Sequence, residues 1–213
     1  MRVFVALMTM MLALTASAQD PVSSPNYVAG VNYEELPEPV RTSDPTKIEV
    51  VEVFWYGCGH CFHFEPILLK WEKTLAEDVN FVPSPAMWNP LMEVHAKAFY
   101  AAKALGVQKQ MHQPLFDAIN LKKQKLQNEA ELASLFAEHG VDKAAFGKAF
   151  NSFGVASQVR QADARARGYR ISGTPELVVN GKYRISAKMA GSQEKMLDIV
   201  DYLIERERKA KAG

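Results

Sequence analysis

Nine residues from Ile48 to Tyr56 (IEVVEVFWY) are apolar but for two glutamates, and they run almost directly into Cys58-Gly59-His60-Cys61. β-Branched and aromatic residues favour an extended chain, and near-continuous apolarity requires a strand covered on both faces. Gly57 interrupts that strand, and a helix is expected from Cys58 to about Ala76, kinked or split at Pro66. A doubly covered strand leading through a turn into a helix belongs to an α/β architecture. With 48% hydrophobic and 23% charged residues the chain has the apolar content to bury a core, which excludes wholesale disorder.

The segments before and after this unit set the organisation. Arg2, the apolar run Val3 to Leu14 and Ala16-Ser17-Ala18 form the charged, apolar and small-residue parts of a secretory signal peptide spanning residues 1–18, cleaved after Ala18. The apolar run is too short to span a bilayer. Asp20 to Asn26 reads as a flexible segment, and Tyr27 to Leu36 holds room for a short strand ended by Pro37 and Pro39. A second strand is expected over Val79 to Val82, broken by Pro83 and Pro85.

From about 88 to 168 the apolar period is helical. Val94, Ala98, Ala101 and Leu105 share one face ahead of Gly106, Asn128 and Glu131 form a capping box, and Asp142 caps a further helix. Val155, Val159, Ala162 and Ala166 mark a last stripe before Gly168. Strand signals return at Glu176 to Val179 and Lys182 to Ser186, joined by Asn180-Gly181 as a type I′ hairpin. Ser192 caps a final helix, and the charged tail from Glu205 to Gly213 is expected to fray. Residues 19–87 and 169–213 therefore read as the two parts of one α/β domain, interrupted by an all-helical insertion at 88–168.

Charge and cysteine content narrow the function. The chain has 25 basic and 24 acidic residues, and loss of Arg2 with the leader balances them, which argues against a phosphate-driven nucleic-acid binder. Cys58 and Cys61 are the only cysteines. A ring this short removes little chain entropy, so the pair is a poor staple for an exported protein and points to redox chemistry or metal binding. Residues i and i+3 of a helix lie close enough for a disulfide that can also open. At the helix N-terminus the first sulfur meets unsatisfied N–H groups and the positive end of the dipole, both of which favour the thiolate. His60 is placed to add a donor or a positive charge. Cys58 is then the exposed nucleophile, and Cys61, one turn in, the shielded resolving thiol. The rival is a metal site of Cys58, His60, Cys61 and His63, but four ligands within six residues do not converge from one helix face. His95, His112 and His139 have no partner at a telling spacing and read as surface or helix-packing residues.

The segments VEVFWYGCGHCFHFEP and SGTPELVVNGKY, with the helical block between them, resemble the DsbA family of exported thiol:disulfide interchange proteins in the thioredoxin superfamily. The likeness spans about residues 27 to 206. It implies a thioredoxin-like fold with an inserted all-helical domain and oxidation of newly exported, unfolded proteins in the periplasm by a monomer. It also implies reoxidation by a quinone-linked membrane enzyme of the DsbB type, with no bound cofactor or metal. An isomerase or reductant of the same fold is the alternative within the class.

The resemblance also bears on individual residues. Pro175 matches the superfamily's cis-proline, which lies beside the cysteines, and a cis bond there would turn the Thr174 backbone outward to pair with an extended substrate. Glu52, on a strand face with Ile48, Val50 and Phe54, is costly unless neutral or paired. It matches the family's buried acid near the second cysteine, suited to proton exchange with Cys61; the competing reading is a glutamate at a sheet margin touching water. Two positions depart from the family pattern. Gly59-His60 stands where Pro-His is best known, and Thr174 where valine is common, and both resemble the isomerase relatives. Gly59 is therefore read as tuning the redox strength, toward an oxidant milder than relatives with Pro-His.

Overall fold

The computed structural model describes residues 26–212. The leader expected at residues 1–18 and its cleavage site lie outside them. The expected strand at Ile48 is β2 (Ile48–Phe54), all seven of its residues buried. It sits fourth in a five-stranded sheet of order β1-β5-β4-β2-β3, with β1 at Glu34–Glu35, β3 at Val79–Pro85, β4 at Glu176–Val179 and β5 at Tyr183–Ser186. β2 pairs parallel with β3 and antiparallel with β4, so the sheet is mixed.

Alternation along β2 divides the core. Ile48 and Val50 pack with Phe64, Leu68 and Trp71 of α1 (Gly59–Glu72) and with Met196, Val200 and Leu203 of α8 (Gln193–Ala212). Val51 and Val53 face the other way, onto Met92 and Tyr169. Five helices stand between β3 and β4: α2 (Pro90–Ala104), α3 (Gln108–Asn120), α4 (Glu129–Glu138), α5 (Lys143–Phe150) and α6 (Phe153–Gly168). Their caps follow the sequence pattern. Asn128 Oδ1 accepts from the Glu131 N–H at 3.0 Å, Asp142 Oδ1 accepts from the Ala145 N–H at 2.8 Å, and Gly106 follows α2 with φ of 73°. Their core is continuous with Phe54, Tyr56 and Cys61, so the helical segment also walls the end of β2.

Four expectations are corrected. Pro66 does not split α1; it lies on an exposed position inside a single helix whose buried face, Cys61, Phe64, Glu65 and Leu68, spans it. That packing outweighs one missing backbone hydrogen bond, while the helix itself stops at Glu72, short of Ala76. Pro83 and Pro85 do not break β3, because β3 is an edge strand and alternate residues of its open side need no N–H. The tail does not fray: α8 runs to Ala212, held by ionic and polar contacts. Arg208 meets Asp78 at 2.6 Å, and the buried Glu207 accepts from Lys182 at 2.7 Å and from the Tyr183 hydroxyl at 2.9 Å. A one-turn helix, α7 (Ala187–Ala190), follows β5 and was not foreseen.

The hairpin carries the expected turn, with φ of 49° at Asn180 and 64° at Gly181 and the Lys182 N–H donating to Val179 O at 2.9 Å. Lys182 is an extra residue in the loop, so Val179 pairs with Tyr183. The Val40 N–H donates to Gly181 O at 2.9 Å, and a Cβ on Gly181 would overlap the Val40 carbonyl. Gly181→Ala is therefore expected to cost about 2 kcal/mol or more in urea unfolding, from the left-handed backbone and the overlap together. Gly59→Ala, where a Cβ meets nothing within 4 Å, is expected to change stability by less than about 1 kcal/mol.

Candidate active site

The turn after β2 delivers Cys58 to the N-cap of α1. The Cys58 N–H donates to Trp55 O at 2.9 Å, the backbone is extended at φ −87° and ψ 111°, and Cys58 Sγ accepts from the Cys61 N–H at 3.4 Å. The sulfur thus occupies the place of a capping oxygen, where orphan N–H groups and the helix dipole favour negative charge. Gly57 lies under the Trp55 indole, which a Cβ there would overlap.

The two sulfurs differ in environment. Both cysteines are free; Cys58 is partly exposed and Cys61 is fully buried among Phe54, Tyr56 and Phe116. The Cys58 thiol is lowered from 9.0 to about 5, first by the hydrogen bond from the Cys61 thiol and then, against some burial, by Thr174 and by the Cys61 and His60 backbone N–H groups. Cys61 is pushed far above the usual thiol range by burial, by its bond to Cys58 and by the charge of Glu52. The reduced pair therefore holds one thiolate and one thiol.

The other expected residues take distinct places. The Thr174–Pro175 bond is cis, and the Thr174 carbonyl oxygen lies 3.3 Å from Cys58 Sγ, within reach of the thiol when it is protonated, so that loop closes directly over the sulfur. Gly59 and His60 are exposed. What His60 adds to the thiolate is its backbone N–H, while its carbonyl accepts from Gln193 Nε2 at 2.8 Å. His63 is also exposed, and among the described residues no three His, Cys, Asp or Glu side chains are grouped to hold a metal ion.

Glu52 is 1% exposed, which removes the sheet-margin reading. Burial raises its carboxyl well above the usual carboxylate range, and the charges of Glu65 and Cys58 raise it further.

The sequence reading missed the groups beside Glu52. Glu65, 2% exposed, places Oε1 3.4 Å from His112 Nε2, and His112 Nδ1 lies 2.8 Å from the Tyr56 hydroxyl. His112 and His95 are buried rather than superficial: His95 Nδ1 accepts from Trp55 Nε1 at 3.0 Å, and its Nε2 meets Lys125 O at 3.1 Å. The signal was present in spacing. Glu65 lies four residues after Cys61, within the apolar stripe Phe64, Leu68, and His112 lies in the stripe Met111, Leu115, Phe116.

The lowered Cys58 value has a redox consequence. Between about pH 5 and 9 the reduced form takes up one proton for two electrons, so the midpoint potential is expected to fall by about 30 mV per pH unit, half the two-proton slope, and to steepen below pH 5. Linked to folding, a depressed thiol stabilises the reduced protein fully above pH 9, and that contribution shrinks as pH falls and is gone below about 5. Potentials measured by equilibration with defined thiol buffers at several pH values check the slope; a two-proton slope through neutral pH would contradict it.

Comparison with known proteins places this geometry in context. Residues 73–200 match the family model described as a DSBA-like thioredoxin domain. The chain is 42% identical over 204 residues to the thiol:disulfide interchange protein DsbA of Pseudomonas aeruginosa, covering 96% of this chain and 97% of that one. It is 45% identical over 202 residues to its counterpart in Azotobacter vinelandii, covering 95% and 94%. The crystal structure of Pseudomonas aeruginosa DsbA superposes with a TM-score of 0.85 at 43% identity, covering 88% of this chain and 97% of that one. The oxidoreductase DsbA of Xylella fastidiosa gives a TM-score of 0.81 at 38% identity, covering 86% and 98%.

Proposed function

The chain belongs to the DsbA family of thioredoxin-like thiol:disulfide oxidoreductases, and from that premise we propose that it donates the Cys58–Cys61 disulfide to newly exported, unfolded proteins. The observation that carries this reading is the contrast between the two sulfurs, with Cys58 held as thiolate and Cys61 buried as thiol. A stabilised Cys58 thiolate favours the dithiol form, and a protein whose dithiol is favoured gives its disulfide away. A substrate thiolate attacks Cys58 Sγ, the Cys58–Cys61 bond breaks, and Cys61 leaves with the electron pair. A second substrate thiolate then attacks the substrate sulfur of the mixed disulfide and releases Cys58 as thiolate.

Several finer assignments belong to the same reading. Cys58 is the nucleophile in reoxidation, Cys61 the resolving thiol, and Glu52 the proton carrier for Cys61. Thr174 and Pro175 form the ledge on which an extended substrate lies, and His60 supplies an amide to the Cys58 thiolate. The protein works in the periplasm, after cleavage at Ala18, as a monomer reoxidised by a quinone-linked membrane enzyme of the DsbB type. Residues 88–168 act as a helical domain that walls the site, inserted between the parts 19–87 and 169–213.

Gly59 opens a direct test of redox tuning. It is the first residue of α1, its φ is not positive and a Cβ there meets nothing, so proline fits without rearrangement. Gly59→Pro is expected to raise the potential by about 30 mV, a tenfold shift in the equilibrium with glutathione, and to lower the Cys58 pKa with it. A potential that rises while the thiolate titration stays fixed would separate the two.

Trapping tests the division of labour. Cys61→Ser is expected to accumulate mixed disulfides through Cys58 when mixed with an unfolded protein that carries a disulfide, the Cys58 thiolate opening that bond and one substrate sulfur leaving as thiolate, while Cys58→Ser loses oxidase activity. Adducts forming equally well through Cys61 in the Cys58→Ser protein would overturn the assignment. Glu52→Gln is expected to slow exchange about tenfold or more without changing the fold.

A further inference from the structure

We propose that Glu176, braced by Arg184, is a positioning residue for the reaction: its carboxylate ties down the turn at Ser172 and Gly173 and so fixes the Thr174 main chain beside Cys58 Sγ, ready to pair with an extended substrate. The proposal rests on the reading of Thr174 and Pro175 as the substrate ledge, and adds what holds that ledge in place.

Glu176 is the first residue of β4 and stands two residues after Thr174. Its main chain is fixed on both sides, paired with Val53 of β2 and with Ser186 of β5. The residues before Pro175 have no such support. Among the described residues, no main-chain hydrogen bond joins Ser172, Gly173 or Thr174 to another main-chain group. The Glu176 side chain supplies what is missing. Its Oε1 accepts from the Ser172 hydroxyl at 3.0 Å and from the Ser172 N–H at 3.4 Å. The segment 172–176 is thereby closed on itself, with Thr174 and Pro175 inside the closure and the Thr174 carbonyl oxygen 3.3 Å from Cys58 Sγ.

Arg184 holds the carboxylate from the next strand. On β5 it lies diagonal to Glu176, since Val178 pairs with Arg184 and Glu176 with Ser186, and it is directly opposite Glu34 of β1. Its Nη1 lies 3.4 Å from Glu176 Oε2 and 3.4 Å from Ser172 Oγ and donates to the Arg170 carbonyl, while its Nη2 donates to Glu34 Oε2. One planar guanidinium therefore joins the turn after α6, the loop, β4 and β1, which the single nitrogen of a lysine could not do. Glu176 is 3% exposed. Burial raises its carboxyl from the ordinary value, and Arg184, Ser172 and the Gly173 N–H act against that rise. A carboxylate buried without such partners is costly, so side chain and loop are set together.

The consequence falls on substrate binding. A chain that pairs with Thr174 as an added strand gains most when that main chain is already in place. A loop freed from Glu176 must be ordered at each encounter, which weakens binding. Cys58 keeps its own N-cap contact with the Cys61 N–H, so the limiting rate of sulfur exchange is unchanged and only the half-saturating concentration rises. A small dithiol that pairs with no main chain does not sense the loss.

The test is rapid-mixing reduction of the disulfide form by excess unstructured dithiol peptide, quenched in acid, with oxidised and reduced protein separated by chromatography. The same peptide N-methylated at the amides flanking its first cysteine, and dithiothreitol, serve as controls. The wild type is expected to need about tenfold more of the N-methylated peptide for half-saturation. Glu176→Ala is expected to raise the half-saturating concentration of the unmodified peptide about tenfold, to erase most of the difference between the two peptides, and to leave the limiting rate and the dithiothreitol rate within about twofold. Glu176→Gln, which keeps an oxygen for Ser172, is expected to recover most of the wild-type value. Ser172→Ala, at an exposed position, keeps the test valid if the Glu176 variants fold poorly, and is expected to raise the half-saturating concentration about threefold. If the wild type separates the two peptides while Glu176→Ala and Ser172→Ala bind like it, or lose limiting rate and dithiothreitol rate alike, the positioning role is wrong and the ledge stands. If the wild type does not separate the two peptides, the ledge reading falls, and the proposal with it.

Discussion

Everything distinctive in this protein depends on how Cys58 Sγ is held at the first turn of α1. A sulfur in the N-cap position accepts from the Cys61 N–H, sits in the positive field of the helix end and lies against the Thr174 carbonyl. One turn further, the same helix buries Cys61 completely. Helix geometry brings the two sulfurs within bonding reach and gives them opposite surroundings, Cys58 partly open to solvent and Cys61 closed off from it.

The remainder of the fold serves to fix that turn. β2 is buried along its whole length, so the strand that carries the turn cannot shift in register without exposing its core residues. α1 packs Phe64, Leu68 and Trp71 beneath the sheet, and α8 closes the same face. The β4–β5 hairpin is anchored to α8 at its turn through Glu207, and the start of β4, next to the Thr174–Pro175 loop, is held by its pairing with β2, the strand that leads into α1. The helical segment completes the wall around Cys61 with Phe116 and also brings His112 to Glu65. One insertion thus supplies both an apolar cover and a polar group behind the site.

Much of this was legible in the sequence, because its strongest signals are local. The apolar run to Tyr56, the N-G turn, the Asn128 and Asp142 caps and the cysteine spacing each fix a neighbourhood of a few residues. The misreadings came where distant packing decides. Pro83 and Pro85 are tolerated because, among the described residues, no strand pairs on the outer side of β3, a fact of sheet order. Pro66 is tolerated because the helix is held from its buried face. The tail stays helical because Asp78, Lys182 and Tyr183, far away in sequence, meet its charges. Glu65 and His112 were overlooked for the same reason: each looks like a lone polar residue within its own helix, and only the crossing of α1 and α3 makes them a pair.

The central claim is that the reduced site holds one thiolate, at Cys58, and one inaccessible thiol, at Cys61. Its most direct test is alkylation of the native reduced protein by iodoacetamide across pH, with the labelled cysteine identified by mass spectrometry. The account predicts that Cys58 alone is labelled, at a rate nearly constant from about pH 6 to 8, because its thiolate is already formed above about pH 5. Labelling of Cys61 in the folded protein, or a Cys58 rate that climbs about tenfold per pH unit through pH 8 as an ordinary thiol does, would contradict it.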